Sequence, residues 1–426
     1  MLKCTISSET LFTIQFDIPV PRQCVKHPEF THLLNTIASQ NKDALLFNKR
    51  EELYGIKINS NQLNEITDRL LSHEEADSQK KLFEQLMNTG HLNDQKDGLD
   101  VNFHQNPFDT PERYWNFILN QGHFGDYFFN RINWFLGPKR EYVTDYPLHV
   151  DLESASTCNM NCPMCYRDQL EHTGQMDLDL FKKAVDECAS NNLFSMRLSW
   201  RGETLTHPAI KEMIAYASKR IKNVSFLTNA FYLDEDMIDH FIDAQVSYVA
   251  VSFDGVKDIY EKIRHPAKFE ENRERLEYLK QQKEKKGSVF PQVRLCTIWP
   301  AIKHNPEEYY SLMKDVSDYI VCNPYINFKG PMEIKQDFIC QYPWERIVIG
   351  YNGDAQCCTG WNADDIILGN IAEKSIHDMW HSESMQNIRK IHSQGRRMDL
   401  NSCARCRHGS KGDPEITIDQ ILERNY

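Results

Sequence analysis

The sequence predicts an α/β fold whose centre is an incomplete, TIM-like (β/α)6 barrel, with a mainly helical region before it and a small cysteine-bearing region after it. Two observations predict it. Between residues 148 and 328, six short apolar runs alternate with five helical patterns, and connections of that length make neighbouring strands parallel rather than hairpins. Just past the first of these runs, three cysteines crowd into eight residues. That is where a barrel of this kind carries its chemistry.

The elements follow in order. A strand over 148–152 leads to a helix whose Phe181, Ala184, Val185 and Cys188 share one face at i, i+3, i+4 and i+7. A strand over 195–199 precedes a helix with Ile210, Met213, Ile214 and Ala217, and a strand over 224–227 precedes one with Met237, Ile238, Phe241 and Ile242. Strand 248–252, a helix around Leu276 and Leu279, strand 293–298, a helix around Tyr309 and Leu312, and strand 325–328 complete the series. The chain thus divides into an α+β accessory region over 1–145, the barrel over 146–332 and a C-terminal region over 333–426.

A chain of 426 residues has room for about three domains. Its 49 Lys and Arg against 61 Asp and Glu leave a net charge of −12, which repels phosphate backbones and argues against nucleic-acid binding. No apolar run is long enough for a membrane span, and the first twenty residues lack the apolar core of a secretory signal. A cytoplasmic enzyme is expected. In a reducing compartment, 13 cysteines point to metal binding or chemistry rather than to a disulfide scaffold.

Within 1–145, a strand-like piece over 44–47 is followed by helical patterns carrying Leu63, Ile66, Leu70 and Leu71, then Leu82, Leu86 and Met87. Strand, two helices and the ending over 86–92 resemble the winged-helix leader-peptide modules of some peptide-modifying enzymes. Amphipathic packing alone accounts for the same periodicity. The aromatics over 106–146, among them Tyr114, Trp115, Phe117, Phe124 and Trp134, read as helices docking on the barrel.

The three cysteines are Cys158, Cys162 and Cys165, followed by Tyr166, in the pattern Cys-x3-Cys-x2-Cys-Tyr. Three thiolates can hold three irons of a [4Fe–4S] cluster and leave the fourth open. Zinc, the alternative, needs a fourth ligand, and His172 lies beyond the usual spacing.

This motif resembles that of the radical S-adenosylmethionine (radical SAM) superfamily, and three strand ends agree in order. Trp200-Arg201-Gly202-Glu203 resembles the family's Gly-Gly-Glu turn, which binds the methionine amino group of SAM; Arg201 stands where the first Gly is expected, which weakens the case for Glu203. Thr228-Asn229-Ala230 stands where relatives have Thr-Asn-Gly. Ser252-Phe253-Asp254-Gly255 with Arg264 resembles the stretch whose Ser and Arg hold polar groups of SAM. The resemblance implies that Tyr166, Gly202, Glu203, Asn229, Ser252, Asp254 and Arg264 line a SAM site. It also implies reductive cleavage of SAM to a 5′-deoxyadenosyl radical, with electrons from a flavodoxin- or ferredoxin-type donor.

A second set follows the barrel. Cys340, Cys358, Cys403 and Cys406, separated by 17, 44 and 2 residues, can close another cluster completely, though four cysteines ending in Cys-x2-Cys also suit zinc. The stretch resembles a SPASM or twitch appendage carrying one auxiliary [4Fe–4S] cluster. The Gly-x4-Cys spacing of that family, counted from Gly353, selects Cys358 over Cys357 as the ligand. Cys357 is then either a structural neighbour of the cluster or a hydrogen-atom donor to a substrate radical.

An auxiliary cluster can take up an electron, which turns hydrogen abstraction into a two-electron oxidation. Relatives with one auxiliary cluster oxidise or epimerise hydroxyl-bearing carbons of cyclitols and sugars, and that substrate class is the first expectation. Radical modification of a peptide or protein is the alternative, favoured by the winged-helix resemblance. An iron–sulfur electron-transfer protein without SAM turnover would not require Glu203, Ser252 and Arg264.

Overall fold

The computed structural model describes residues 2–8, 11–38, 44–88, 106–140, 142–328, 334–335, 338–360, 366–409 and 415–423. The N-terminal region is built on a four-stranded antiparallel sheet of β1 (Leu2–Ser8), β2 (Leu11–Val20), β3 (Leu45–Phe47) and β4 (Leu53–Asn59), in the order β1-β2-β4-β3. Only β3 is anticipated by the sequence reading. The signal for β2 lies in period-two alternation, with Ile14 and Phe16 buried and Gln15 between them exposed. Helices Ser60–Leu70 and His73–Asn88 follow, as expected. The closing stretch 89–92 of the winged-helix resemblance lies outside the described residues.

A two-residue strand, β5 (Asn106–Pro107), leads into helices Pro111–Leu119 and Phe124–Arg140. Thr110 caps the first of these by accepting from Arg113 N–H. The aromatic faces of both dock on the barrel. Phe117 meets Tyr248 and Tyr319 at ring separations of 5.6 and 5.5 Å, Asn130 Nδ2 donates to Leu148 O, and Asn223 Nδ2 to Gln121 Oε1. Burying a ring such as Phe117 contributes on the order of 2 kcal/mol.

The barrel strands are β6 (His149–Leu152), β7 (Ser195–Arg197), β8 (Asn223–Thr228), β9 (Tyr248–Ser252), β10 (Gln292–Ile298) and β11 (Tyr319–Asn323). All five neighbouring pairs are parallel. Every docking contact just named falls at the first residue of a strand or the one before it. The N-terminal helices therefore plug that end of the barrel and leave the C-terminal ends of the strands free for a site.

The sixth strand is a correction to the sequence reading. It spans Tyr319–Asn323, not 325–328, because Tyr319, Ile320, Val321 and Cys322 form the continuous buried run. Pro324 has no N–H to extend the ladder. Residues 324–328 belong to no strand.

The sheet continues past the barrel. β12 (Arg346–Ile349) pairs in parallel with β6 on the side away from β7, then β13 (Asp354–Gln356) and β14 (Ile367–Asn370) add antiparallel, while β5 covers β11. The result is one ten-stranded sheet. Its apolar outer face packs against the barrel helices around Val150, Leu152, Phe226 and Val251, all fully buried. Its inner face carries His149, Asp151, Ser195 and Arg197.

Candidate functional site

The loop after β6 holds Cys158, Cys162 and Cys165, and the ends of β7 and β8 fix it in place. Glu203 N–H donates to Thr157 O at 2.8 Å, Thr157 and Thr206 hydroxyls meet at 2.8 Å, and Asn229 Nδ2 donates to Asn159 Oδ1 at 2.8 Å. Gly202 lies against the loop so closely that a Cβ would come within 2.5 Å of Ala155 O and Thr157 O. Only glycine fits there.

Burial pushes the Cys158 thiol up to about 11, with Glu203 and Cys162 adding to the rise. Cys162 is raised by burial and by Cys165, and lowered by Arg264, whose Nη1 donates to Cys162 Sγ at 3.4 Å. The three sulfurs are thus within electrostatic reach of one another, beside a guanidinium. Such a set is strained as bare thiolates and is relieved by a bound cation, so it fits a metal centre.

The strand-end residues fall around this loop. Glu203 is buried, and burial raises its carboxyl to about 7. It accepts from Thr228 Oγ1 at 2.7 Å, Asn229 N–H at 2.8 Å and Leu205 N–H at 3.3 Å. Both its oxygens are therefore used by the protein, and the side chain braces the β7 turn against the end of β8. Asp254 pairs with Arg264 and accepts from Ile298 N–H at 2.9 Å. Ser252 closes β9 beside Cys296 of β10. Arg201 makes a two-point contact with the fully buried Glu153, at 3.0 and 2.6 Å, and Glu153 also accepts from Tyr351 N–H. Arg201 thus ties the β7 turn to the C-terminal hairpin.

In the C-terminal region, Cys340, Cys357, Cys358, Cys403 and Cys406 line one small cavity of about 60 Å³. Burial raises the Cys340 thiol well above its ordinary range, and Cys406, Cys358 and Cys403 raise it further. Cys357 shares that wall but is not among the thiols that act on Cys340: it is 2% exposed in the apolar core and interacts with Cys358 and Arg389. Cys358 Sγ accepts from Gly360 N–H at 3.2 Å. Four thiols lining one void fit a metal cluster as the first three do.

His392 was missed by sequence reasoning. Its Nε2 donates to Cys403 Sγ at 3.4 Å while Nδ1 accepts from Cys340 N–H, and burial lowers its pKa to about 4. The signal was faint: it completes the buried face Met385, Ile388, Arg389, His392 of helix Glu383–Ser393.

A second cavity, of about 170 Å³, is walled by Tyr166, which follows Cys165 in the chain, by Phe328, Arg197 and Trp200, and by Cys406 and Arg407. Trp200 Nε1 donates to Thr359 O at 3.0 Å, which fixes one wall. Cys357 does not line this cavity. Among the described residues, no helix is long and apolar enough to cross a membrane.

Two family models match the chain. The model of the radical SAM superfamily matches residues 152–316, and that of the SPASM iron–sulfur cluster-binding domain matches residues 340–407. The antilisterial bacteriocin subtilosin biosynthesis protein AlbA of Bacillus subtilis (strain 168) is 30% identical over 94 residues, 22% of this chain and 21% of its own. The S-adenosyl-L-methionine-dependent 2-deoxy-scyllo-inosamine dehydrogenase of Niallia circulans is 21% identical over 285 residues, 64% of this chain and 97% of its own. A crystal structure of Streptococcus suis SuiB bound to S-adenosylmethionine superposes with a TM-score of 0.48 at 14% identity, covering 87% of this chain and 96% of that one. The matched stretch spans between a fifth and a third of the length of several curated relatives. The chain belongs to the radical SAM superfamily and carries a SPASM iron–sulfur cluster-binding domain at its C-terminal end.

Proposed function

We propose that the enzyme cleaves S-adenosylmethionine reductively and removes a hydrogen atom from a hydroxyl-bearing carbon of a sugar or cyclitol, oxidising or epimerising it. The observation that carries this reading is the cavity bounded on one side by Tyr166 and on the other by Cys406. A molecule held there meets Cys406 of the second thiol set and Tyr166, the neighbour in sequence of Cys165 of the first.

Cys158, Cys162 and Cys165 would hold a [4Fe–4S] cluster with one open iron, and Cys340, Cys358, Cys403 and Cys406 a second, closed one. When bound, these groups and SAM supply low-potential electron delivery, a 5′-deoxyadenosyl radical and a sink for the electron left on the substrate. The chain's own residues position the reactants. The Gly202 turn presents backbone groups to the methionine end of SAM, with Glu203 and Asn229 bracing it. Ser252 and Arg264 face the remaining polar groups, and Asp254 holds Arg264 in orientation. Phe328, Trp200 and Tyr166 exclude water around the reacting carbon. A flavodoxin- or ferredoxin-type protein would supply the electron.

Two observations support the substrate class: the cavity is small, and a relative matched over nearly its whole length is named as a cyclitol-type dehydrogenase. The peptide reading has its own support in the N-terminal sheet, where β1 and β3 are the outermost strands among the described residues, since an edge strand can take up an extended peptide. The test is an anaerobic reaction with a polyol deuterated at the reacting carbon. Deuterium in 5′-deoxyadenosine, read by mass spectrometry, supports the proposal. Transfer from a peptide but from no carbohydrate, lost on deleting residues 1–105, replaces it with the alternative.

A further inference from the structure

Among the described residues, two guanidiniums beside the larger cavity share one buried carboxylate. Asp151 of β6 is fully buried, and its one carboxylate faces Arg197 Nε at 2.7 Å, Arg346 Nη1 at 3.0 Å and His149 Nε2 at 3.1 Å. Its carboxyl is held far below the ordinary range by these neighbours against the effect of burial. Glu345 lies 3.7 Å from Arg346, but burial raises it to about 8, so it carries little negative charge at neutral pH. Glu153 is taken by Arg201. Arg197 therefore has no carboxylate to itself among the described residues, in a region of low dielectric where an under-matched cation is costly.

Arg197 is the group through which that charge is offered to a ligand. Its side chain is 29% exposed against 11% for Arg346, it lines the cavity, and among the described residues Asp151 is the sole acidic partner of its guanidinium. Arg407 adds a second guanidinium to the same wall. Opposite them stand the rings of Tyr166, Trp200 and Phe328, suited to a carbon frame.

We infer that the substrate taken into this cavity is an acid, and that its carboxylate pairs with Arg197. A guanidinium fork matches a planar carboxylate with two parallel hydrogen bonds. The volume, about 170 Å³, suits a small acid such as a hydroxy-acid ring or one acidic side chain. The inference rests on the substrate lying in this cavity, as proposed above.

The test uses the full-length enzyme with both clusters and saturating SAM, without oxygen. Equilibrium dialysis compares glucuronate with glucose and with glucose 6-phosphate, and, for a peptide source of the same group, N-acetylglutamate with N-acetylglutamine. In at least one pair the carboxylate is expected to bind at least tenfold tighter than its neutral partner. Arg197→Met should remove that preference and Arg197→Lys retain part of it, with iron content reporting intact folding. Because Arg197→Met leaves Asp151 short of a partner, the Asp151→Asn/Arg197→Met double variant serves if the single one loses iron. Neutral ligands binding as tightly as acids, no acid binding at all, or glucose 6-phosphate surpassing glucuronate overturns the inference. Failure of the wild-type enzyme to cleave SAM with dithionite overturns the parent proposal instead, so the two failures are distinguishable.

Discussion

The guanidinium of Arg264 donates to Cys162 Sγ at 3.4 Å while its other edge is held by Asp254. One side chain therefore joins the thiol loop after β6 to the turn after β9. Arg264→Ala should weaken SAM binding about tenfold or more, the scale of a lost charge-assisted hydrogen bond. Iron content should stay near that of the wild type. Isothermal titration with SAM checks it, and unchanged affinity would remove Arg264 from the SAM site.

Gly202 makes a sharper demand. Its missing Cβ leaves room for Ala155 O, Ser156 C and Thr157 O, each of which a methyl would approach to 2.5 Å. Gly202→Ala should displace the loop carrying Cys158 and take the iron content from about eight to about four per chain. Iron analysis with Mössbauer spectroscopy would register the loss, and a full complement of iron would show that the loop yields.

The two adjacent cysteines separate by the same measurement. Cys358→Ala should lose the C-terminal cluster, because Cys358 is among the thiols that act on Cys340. Cys357→Ala should keep all iron and cost about 1 kcal/mol of stability for the small cavity it leaves. Iron loss in Cys357→Ala with retention in Cys358→Ala would reverse the assignment.

Glu345 predicts a pH dependence. Burial raises its carboxyl from 4.5 to about 8, so the folded protein keeps a proton that the unfolded chain releases above about 4.5. The stabilisation is complete below that value and is lost as pH rises toward 8. The slope reaches about 1.4 kcal/mol per pH unit for one proton. Glu345→Gln should flatten the fall in urea midpoint between pH 5 and 8, and an unchanged slope would show that Glu345 ionises normally.

The parts of the site that were legible in the sequence are those whose residues lie close together in the chain. Cys158, Cys162 and Cys165 share one loop, and the strand-end turns at Gly202, Asn229 and Asp254 each sit within a few residues of a recognisable apolar run. Arg197 was not legible, because its meaning comes from Asp151 on the neighbouring strand and from Arg346, almost 150 residues further along. His392 was hidden for the same reason, its contacts to Cys340 and Cys403 being tertiary. The sixth strand was misplaced by a few residues because Tyr325 is also buried, and burial alone does not distinguish a strand from a buried segment outside the sheet. The C-terminal strand β12 reads as a separate module, since nothing local announces that Arg346 will sit opposite His149.

That pairing bears on how the protein can be taken apart. Because Ile349 lies opposite Leu152 in the ladder, six residues before Cys158, the backbone that carries the second set of sulfurs is stitched to the backbone that carries the first. The C-terminal portion is therefore not an interchangeable cassette. A chimera cut at residue 333 would have to recreate a sheet seam rather than splice a tether, and a cut in the turn at Asn352 would only move that seam to β12 and β13 while parting Cys340 from Cys358, Cys403 and Cys406.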